Sequence, residues 1–319
     1  MPRNPKSRRY LLMGLGAAAF VLIVLPPVLP TYVVILLTQS MIYAIVAMSL
    51  DVLIGYTDLG SLGHAAFFAI GAFTTAILEK RYNAGFVTAL FSSIGIAAGA
   101  SALIGLFALR AKGIYFLLIT LAVAMSIWGL IYRWASLTGG DNGISDVMRP
   151  DLGGAIDLQN HVHFHYFVLI FYVICLILII LWVRSPFGRT LVGIRDSESR
   201  MKVLGYNVWL HKYCAFIIAG AFAGFGGTLY AYFNRFVGPN DADLGMCMEF
   251  VLMVSLGGQG NLIGANIGAL LITFMKNMVS VYTNRYLMIL GFVYLLTAKY
   301  APQGIMGLLR RFGRGEEVA

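Results

Sequence analysis

Long apolar runs, separated by short polar connections, recur along almost the whole 319-residue chain. A helix that crosses the hydrocarbon core of a bilayer needs about 20 predominantly apolar residues. Charged residues make up only 12% of the chain, against roughly 25% in a soluble domain. The runs that approach the required length cover residues 11–29, 33–54, 62–78, 86–109, 114–131, 166–183, 213–233, 244–256, 262–281 and 286–298. The sequence therefore predicts one all-α polytopic membrane domain over residues 1–319, with about ten apolar helical segments and 8–10 full crossings.

The basic residues indicate how these segments are oriented. If both termini are cytoplasmic, 16 of the 23 Lys and Arg residues lie on the cytoplasmic side, as the positive-inside rule requires. We therefore predict a multi-pass protein of a bacterial inner membrane, with an extracytoplasmic loop at 134–165 and a cytoplasmic loop at 184–212. Orientation in lipid explains the net charge of +9 better than nucleic-acid binding, because the basic residues are not interleaved with aromatics on one face.

Three segments leave alternatives open. The first run follows basic residues, as in a signal peptide, but it is long, ends in prolines and lacks a convincing small-x-small cleavage pattern. We expect it to be retained as a helix. The runs at 62–78 and 244–256 are short and flanked by glycine, so either can be a full crossing or a re-entrant segment.

The cytoplasmic loop contains a short predicted helix. Ser197 is a good N-cap, Glu198 follows in the first turn, and Gly205 supplies a stop. The pattern indicates a two-turn amphipathic helix parallel to the membrane surface. Such a helix either joins two spans or fits a cleft on a motor subunit and transmits its movement.

Two apolar segments are interrupted by glycine, which is a pointer to a transport path in membrane carriers. The glycines of the first are Gly55, Gly60, Gly63 and Gly71, and those of the second are Gly257, Gly258, Gly260, Gly264 and Gly268. The alternative is close helix packing, which also uses small residues and applies equally to the run at 219–231. His64 and Glu249 can serve either packing or the path, whereas Asp51 and Glu79 lie near segment ends, where they can reach the interface. The candidate path residues are Gly60, Ser61, Gly63, His64, Glu249, Gly257, Gly258, Gly260 and Asn261.

Signatures of an enzyme are missing from the sequence. It contains no G-x-x-x-x-G-K-[S/T] phosphate loop, no H-E-x-x-H and no G-x-S-x-G, so ATP hydrolysis would have to come from a partner. His161, His163 and His165 alternate with apolar residues, but we expect partly buried amphipathic side chains there and no metal site.

Several blocks of sequence together resemble a known family. The loop reads I-R-D-S-E from Ile194 to Glu198, followed by L-G-Y-N from Leu204 to Asn207. Further matching blocks occur in order: GYTDLGSLGHAAFFAIGAF, RAKGIYFLLITLA, SLTGGDNGIS, AGAFAGFGGTLYA, SLGGQGNLIGANIGALLI and YAPQGIMGLL. The chain resembles the permeases of branched-chain amino acid ABC importers of the LivM type. It departs from their pattern at Arg200 and Met201, where the family commonly has small residues.

This resemblance implies partners and roles. It implies a second related permease subunit, two cytoplasmic ABC ATPases that use ATP and Mg, and a periplasmic solute-binding protein, with no cofactor bound by this chain. The ATPase-coupling residues would be Arg195, Asp196, Glu198, Arg200, Leu204 and Gly205. The outer-loop residues that receive the binding protein would be Thr138, Gly139, Gly140, Asn142 and Gly143.

The solute itself stays open at this stage. The resemblance implies a branched-chain amino acid, and a permease of the same family for urea or a short amide is the main alternative. An autonomous channel or a secondary carrier is a different class, although the sequence offers no chain of buried acids for proton coupling.

Overall fold

Helices account for about four fifths of the residues that the structure describes. The computed structural model describes residues 22–150, 157–283, 288–289, 291–293, 295, 299 and 304–307. The α-helices are α1 Thr31–Thr57, α2 His64–Tyr82, α3 Phe86–Ala108, α4 Ile114–Arg133, α5 Ala135–Thr138, α6 His161–Arg184, α7 Pro186–Asp196, α8 Glu198–Val203, α9 Val208–Asn234, α10 Leu244–Gly257 and α11 Leu262–Tyr282. Two 3₁₀ turns lie at Gly140–Asn142 and Pro239–Ala242, and two short strands, β1 Ile144–Ser145 and β2 Phe236–Val237, pair antiparallel.

The lengths of these helices confirm the prediction of an all-α polytopic membrane protein. Six of them, α1, α3, α4, α6, α9 and α11, are long and apolar enough to cross a bilayer. Helix α10 has 14 residues, about 21 Å at 1.5 Å per residue, which is shorter than the roughly 30 Å hydrocarbon core. The predicted first helix falls mostly on residues 1–21, which lie outside the described ranges. The last predicted run, at 286–298, also falls mostly on residues outside them.

Helix α1 lies at the centre of the bundle. It is apolar all round and packs against α6, α9 and α11, as expected for a helix buried on every side. Helix α9 packs against α1, α2 and α3. A Cβ on Gly224 would strike Ala97 of α3, and one on Gly227 would strike the backbone of Phe68 in α2. The small residues at 219–231 therefore serve close helix packing.

The start of α6 differs from the predicted start of its apolar run. The helix begins at His161, where Asn160 caps it by accepting a hydrogen bond from the Val162 N–H at 2.9 Å. His165 is buried, and its two ring nitrogens lie 2.9 Å from Thr38 Oγ1 and 3.1 Å from the Leu22 carbonyl. This histidine thus connects α6 to α1 and to the segment before it.

Candidate functional site

Two short helices, α7 and α8, form the loop between α6 and α9, which the sequence predicts to be cytoplasmic. Ser197 Oγ accepts a hydrogen bond from the Arg200 N–H at 3.4 Å, and Gly205 has a φ of +87° just beyond α8. The predicted cap, short helix and glycine stop are confirmed. Helix α7 was not predicted, although Ser185 followed by Pro186 is a recognisable helix start.

Helix α8 protrudes from the bundle. None of its residues is buried, and the side chains just at its end, Val203 and Leu204, are 89% and 70% exposed. Met201 faces the other way, because a Cβ on Gly193 of α7 would lie 2.9 Å from its sulfur. The departure from the family pattern at Met201 thus contributes to packing between α7 and α8, while Arg200 is exposed.

Glu198 ties α8 to the bundle. Its carboxylate accepts a hydrogen bond from Lys212 of α9, and Lys112, between α3 and α4, lies 3.8 Å away. The hydrogen bond from Lys212 is the main reason that the pKa of Glu198 is lowered. Glu198 is therefore ionised at neutral pH and anchors α8 to the first turns of α9.

Arg195 connects the same loop to the interior. Its Nη1 donates to the Gly55 carbonyl at 2.6 Å, near the end of α1, and its Nη2 lies 3.2 Å from the neighbouring Asp196. The N–H of Gly260 donates to Asp51 Oδ1 at 2.7 Å. The expectation that Asp51 reaches the interface is wrong, since its side chain is fully buried. The α6–α9 loop, the end of α1 and the α10–α11 connection meet here, and we call Arg195, Gly55, Gly260 and Asp51 the inner contact.

The inner contact depends on glycine at two positions. A Cβ on Gly55 would collide with the backbone of Gly260, and Gly260 itself has a φ of +73°. Glycine adopts such a conformation without the penalty that other residues incur. Asn261 then caps α11 by accepting from the Ile263 N–H at 3.2 Å. The two glycine-interrupted segments of the sequence therefore do meet, through Gly55 and Gly260.

Gly60 and Gly63, two candidate path residues on the first segment, lie against α4. Leu62 donates its N–H to Thr120 Oγ1 at 3.1 Å, and Cβ atoms on Gly60 and Gly63 would lie beside Leu117 and Thr120 respectively. His64 is 1% exposed, and its Nε2 lies 3.1 Å from Ser49 Oγ of α1. Hydrogen bonding and burial place this histidine within the packing of α1 and α2.

Glu249 has a partner that sequence analysis missed. Lys276 of α11 places its Nζ 2.8 Å from Glu249 Oε1 and 2.9 Å from Oε2. The glutamate is 2% exposed and the lysine 26%. A lysine inside an otherwise apolar run was a visible signal, because ionisable residues at membrane depth are functional candidates by default.

The outer loop is shaped by glycine and by one threonine. Thr138 Oγ1 donates to the Ile131 carbonyl at 2.6 Å and accepts from the Gly140 N–H at 3.2 Å. Gly139, Gly140 and Gly143 all have positive φ, and a Cβ on Gly143 would collide with the Val237 carbonyl of β2. These residues fix the loop geometry, whereas Asn142 is exposed.

Comparison with known proteins places this architecture in a family. The family model described as "Branched-chain amino acid transport system / permease component" matches residues 32–298. The high-affinity branched-chain amino acid transport system permease proteins LivM of Escherichia coli (strain K12) and Salmonella typhimurium (strain LT2) are each 31% identical over 295 residues, covering 86% of this chain and 69% of theirs.

A more distant relative is the galactose/methyl galactoside import permease protein MglC of Escherichia coli (strain K12), which is 26% identical over 168 residues, or 49% of this chain and 48% of its own length. No solved structure matched the chain. The family match covers most of the sequence, including all the spanning helices described above. This multi-pass membrane protein therefore belongs to the family of branched-chain amino acid transport permeases.

Proposed function

We propose that this chain is one of two related permease subunits of an ABC importer in a bacterial inner membrane. A periplasmic binding protein delivers a branched-chain amino acid, and two cytoplasmic ATPases drive its passage by hydrolysing ATP with Mg. This chain binds no cofactor, and both of its termini lie in the cytoplasm. The distribution of basic residues supports that orientation.

The observation that carries the proposal is the construction of the cytoplasmic loop. Val203 and Leu204 present apolar surface to water at the end of a protruding helix, which is typical of a surface that a protein partner covers. The same loop contacts the α10–α11 connection through Arg195 and Gly55. A partner that pulls on α8 would therefore act on α1 and on the connection between α10 and α11.

The direct test is ATP-driven uptake by the reconstituted complex. Replacing both Val203 and Leu204 with Ser should lower leucine uptake and uncouple it from ATP hydrolysis, because the apolar contact with the ATPase is lost. Replacing Arg189, which is exposed on α7, with Ser is the matched control. Deletion of residues 197–204 should abolish uptake while the chain still inserts, and normal uptake by that variant would refute the assignment.

The alternative solutes are compared in the same assay. Labelled leucine should be taken up, and labelled urea should not. If urea is taken up and leucine is not, the chain serves a short amide. An autonomous channel or carrier would instead move solute with this chain alone in proteoliposomes, without ATPase or binding protein.

A further inference from the structure

The turn between α3 and α4, residues 109–113, carries two cations on the side of the protein where α8 protrudes. Arg110 and Lys112 are both exposed, and 76% of the Lys112 side chain is accessible. Lys112 Nζ lies 3.8 Å from a carboxylate oxygen of Glu198, but that carboxylate already accepts a hydrogen bond from Lys212. Among the described residues, the turn therefore keeps most of its positive charge uncompensated.

Apolar side chains face outward on both helices that meet at this turn. Both helices are long and apolar enough to cross a bilayer. The exposed apolar side chains nearest the turn are Leu103, Leu106 and Phe107 on α3, and Ile114 and Tyr115 on α4. A phospholipid whose acyl chains lie along these side chains has its headgroup at the level of the turn, because the hydrocarbon core ends where the spanning helices end.

Arg110 is held at the end of the apolar face of α3. Its backbone N–H donates to the Phe107 carbonyl at 3.3 Å, and its guanidinium carbon lies 5.9 Å from the centre of the Phe107 ring. A cation over an aromatic face is weakly attracted to it, which keeps the arginine beside the lipid-facing surface. The planar guanidinium group can donate two parallel hydrogen bonds to a phosphate.

An aromatic pair on α9 lies at the same level. Tyr213 packs against α3, since a Cβ on Gly105 would lie 3.2 Å from its ring. Further along, a Cβ on Gly224 would contact Ala97, so α9 and α3 run antiparallel. Trp209, one helical turn before Tyr213, stacks on it with ring centroids 4.9 Å apart and is partly exposed. Trp209 therefore lies level with the α3–α4 turn, and tryptophan is enriched at the headgroup level of membranes.

We infer that Arg110 and Lys112 bind the phosphate headgroup of an anionic phospholipid of the cytoplasmic leaflet, with its acyl chains along the exposed faces of α3 and α4. The inference rests on the proposed function for the orientation, which puts this turn on the cytoplasmic side. Two cations favour a lipid of net negative charge, because the phosphate of a zwitterionic lipid already has an ammonium counter-charge. Each Lys or Arg near an anionic membrane surface adds to the attraction.

The size of the exposed side chains favours lipid over a second subunit at this surface. Helices that contact each other inside a membrane use small residues, as Gly224 does against Ala97. The outward-facing glycines of α3, Gly95 and Gly99, lie more than two turns away from Arg110, and large side chains surround the turn itself. A protein partner would also have to bring acidic groups to this level, whereas anionic headgroups are already present there.

Lipid binding by the full transporter complex tests the inference. The complex is purified in detergent without nucleotide and titrated with phosphatidylglycerol, and the bound lipids are counted by native mass spectrometry. The double replacement Arg110→Gln with Lys112→Gln should weaken one phosphatidylglycerol site by about fivefold for each charge removed, or about 25-fold in all. Phosphatidylcholine should bind equally weakly to the wild type and to the double variant.

The control removes two charges from a neighbouring surface that has no lipid-facing flank. Arg200 and Lys202 are exposed on α8, and replacing both with Gln should leave phosphatidylglycerol binding unchanged. Arg110→Lys keeps the charge and should retain most of the binding. Glycerophosphoglycerol, which is the same headgroup without acyl chains, should not displace the lipid, because the apolar faces of α3 and α4 contribute to binding.

Three results would overturn the inference. They are equal phosphatidylglycerol affinity in the wild type and the double variant, an equal loss in the control variant, and displacement of the lipid by the free headgroup. If the second permease covers this surface, the wild type and the double variant will bind the same number of lipids, which is the first of these results. ATP-driven uptake with the binding protein present judges the proposed function separately. A complex that takes up leucine without a lipid difference between the two proteins would leave the function standing and remove the lipid site.

Discussion

Replacing Gly55 with Ala is the sharpest test of the inner contact, because two effects of opposite sign compete. Alanine favours a helix over glycine by about 1 kcal/mol. At this position, however, its Cβ would collide with the backbone of Gly260 and lie 2.6 Å from Asp51 Oδ1. Backbone cannot rotate away as a side chain can, so the α10–α11 connection must move off α1.

That movement breaks hydrogen bonds to charged groups. The Gly260 N–H would lose Asp51, and the Gly55 carbonyl would shift relative to Arg195. A hydrogen bond to a charged group contributes about 1.5–3 kcal/mol to stability. The hydrogen bond from Arg195 contributes less than one from a buried group, because 39% of the Arg195 side chain is exposed. After the gain in helix propensity is subtracted, we expect a net loss of about 2 kcal/mol.

The assay is the unfolding free energy of the purified subunit in detergent, together with ATP-driven uptake by the complex. Gly99→Ala on α3 is the matched control, because nothing lies within 4 Å of a Cβ at that position. It should be neutral or stabilising by up to about 1 kcal/mol. If Gly55→Ala is as stable as Gly99→Ala and transports normally, the inner contact does not hold the loop to the bundle.

Three further predictions concern the two ends of the transport path. Arg195→Met should lower the amount of leucine taken up per ATP hydrolysed by roughly tenfold, which corresponds to about 1.4 kcal/mol. Arg189→Met should leave this ratio unchanged, and parallel measurements of uptake and ATPase activity test both variants. Gly143→Ala, at a φ of +64°, should distort the outer loop and reduce the ATPase stimulation by loaded binding protein while leaving basal ATPase unchanged. The uptake of Glu198→Gln, as a fraction of wild-type uptake, should be the same from about pH 6 to 8, because the lowered pKa of Glu198 keeps the wild-type carboxylate ionised throughout. The stabilising effect of this carboxylate is lost only below that range.

The sequence predicted the helices well where hydrophobicity alone decides. Every apolar run from 33 to 281 corresponds to a helix, and the cap at Ser197 and the stop at Gly205 are where local rules place them. Helix α7 was missed because its residues mix glycine, arginine and apolar side chains, so neither length nor hydropathy identifies it. For the run at 244–256, the sequence did not decide between a full crossing and a re-entrant segment. Its short length in the structure follows from the turns that bound it.

The contacts of the candidate site were less predictable, because they join residues far apart in sequence. Arg195 and Gly55 are separated by 140 positions, and Asp51 and Gly260 by 209. Position near a segment end made Asp51 look like an interface residue, although packing buries it fully. Periodicity and composition describe each helix separately, and they contain no information on which helix ends meet.

The loop between α6 and α9 contacts the bundle at two separate places. Arg195 contacts the end of α1 and, beyond it, the α10–α11 connection, whereas Glu198 contacts Lys212 at the start of α9. Helix α9 is closely packed on α2, where a Cβ on Gly71 would strike the Gly224 backbone. A displacement of the loop would therefore act on α1 and on α9 at once. Any difference between the two displacements must be taken up where α1 meets α9.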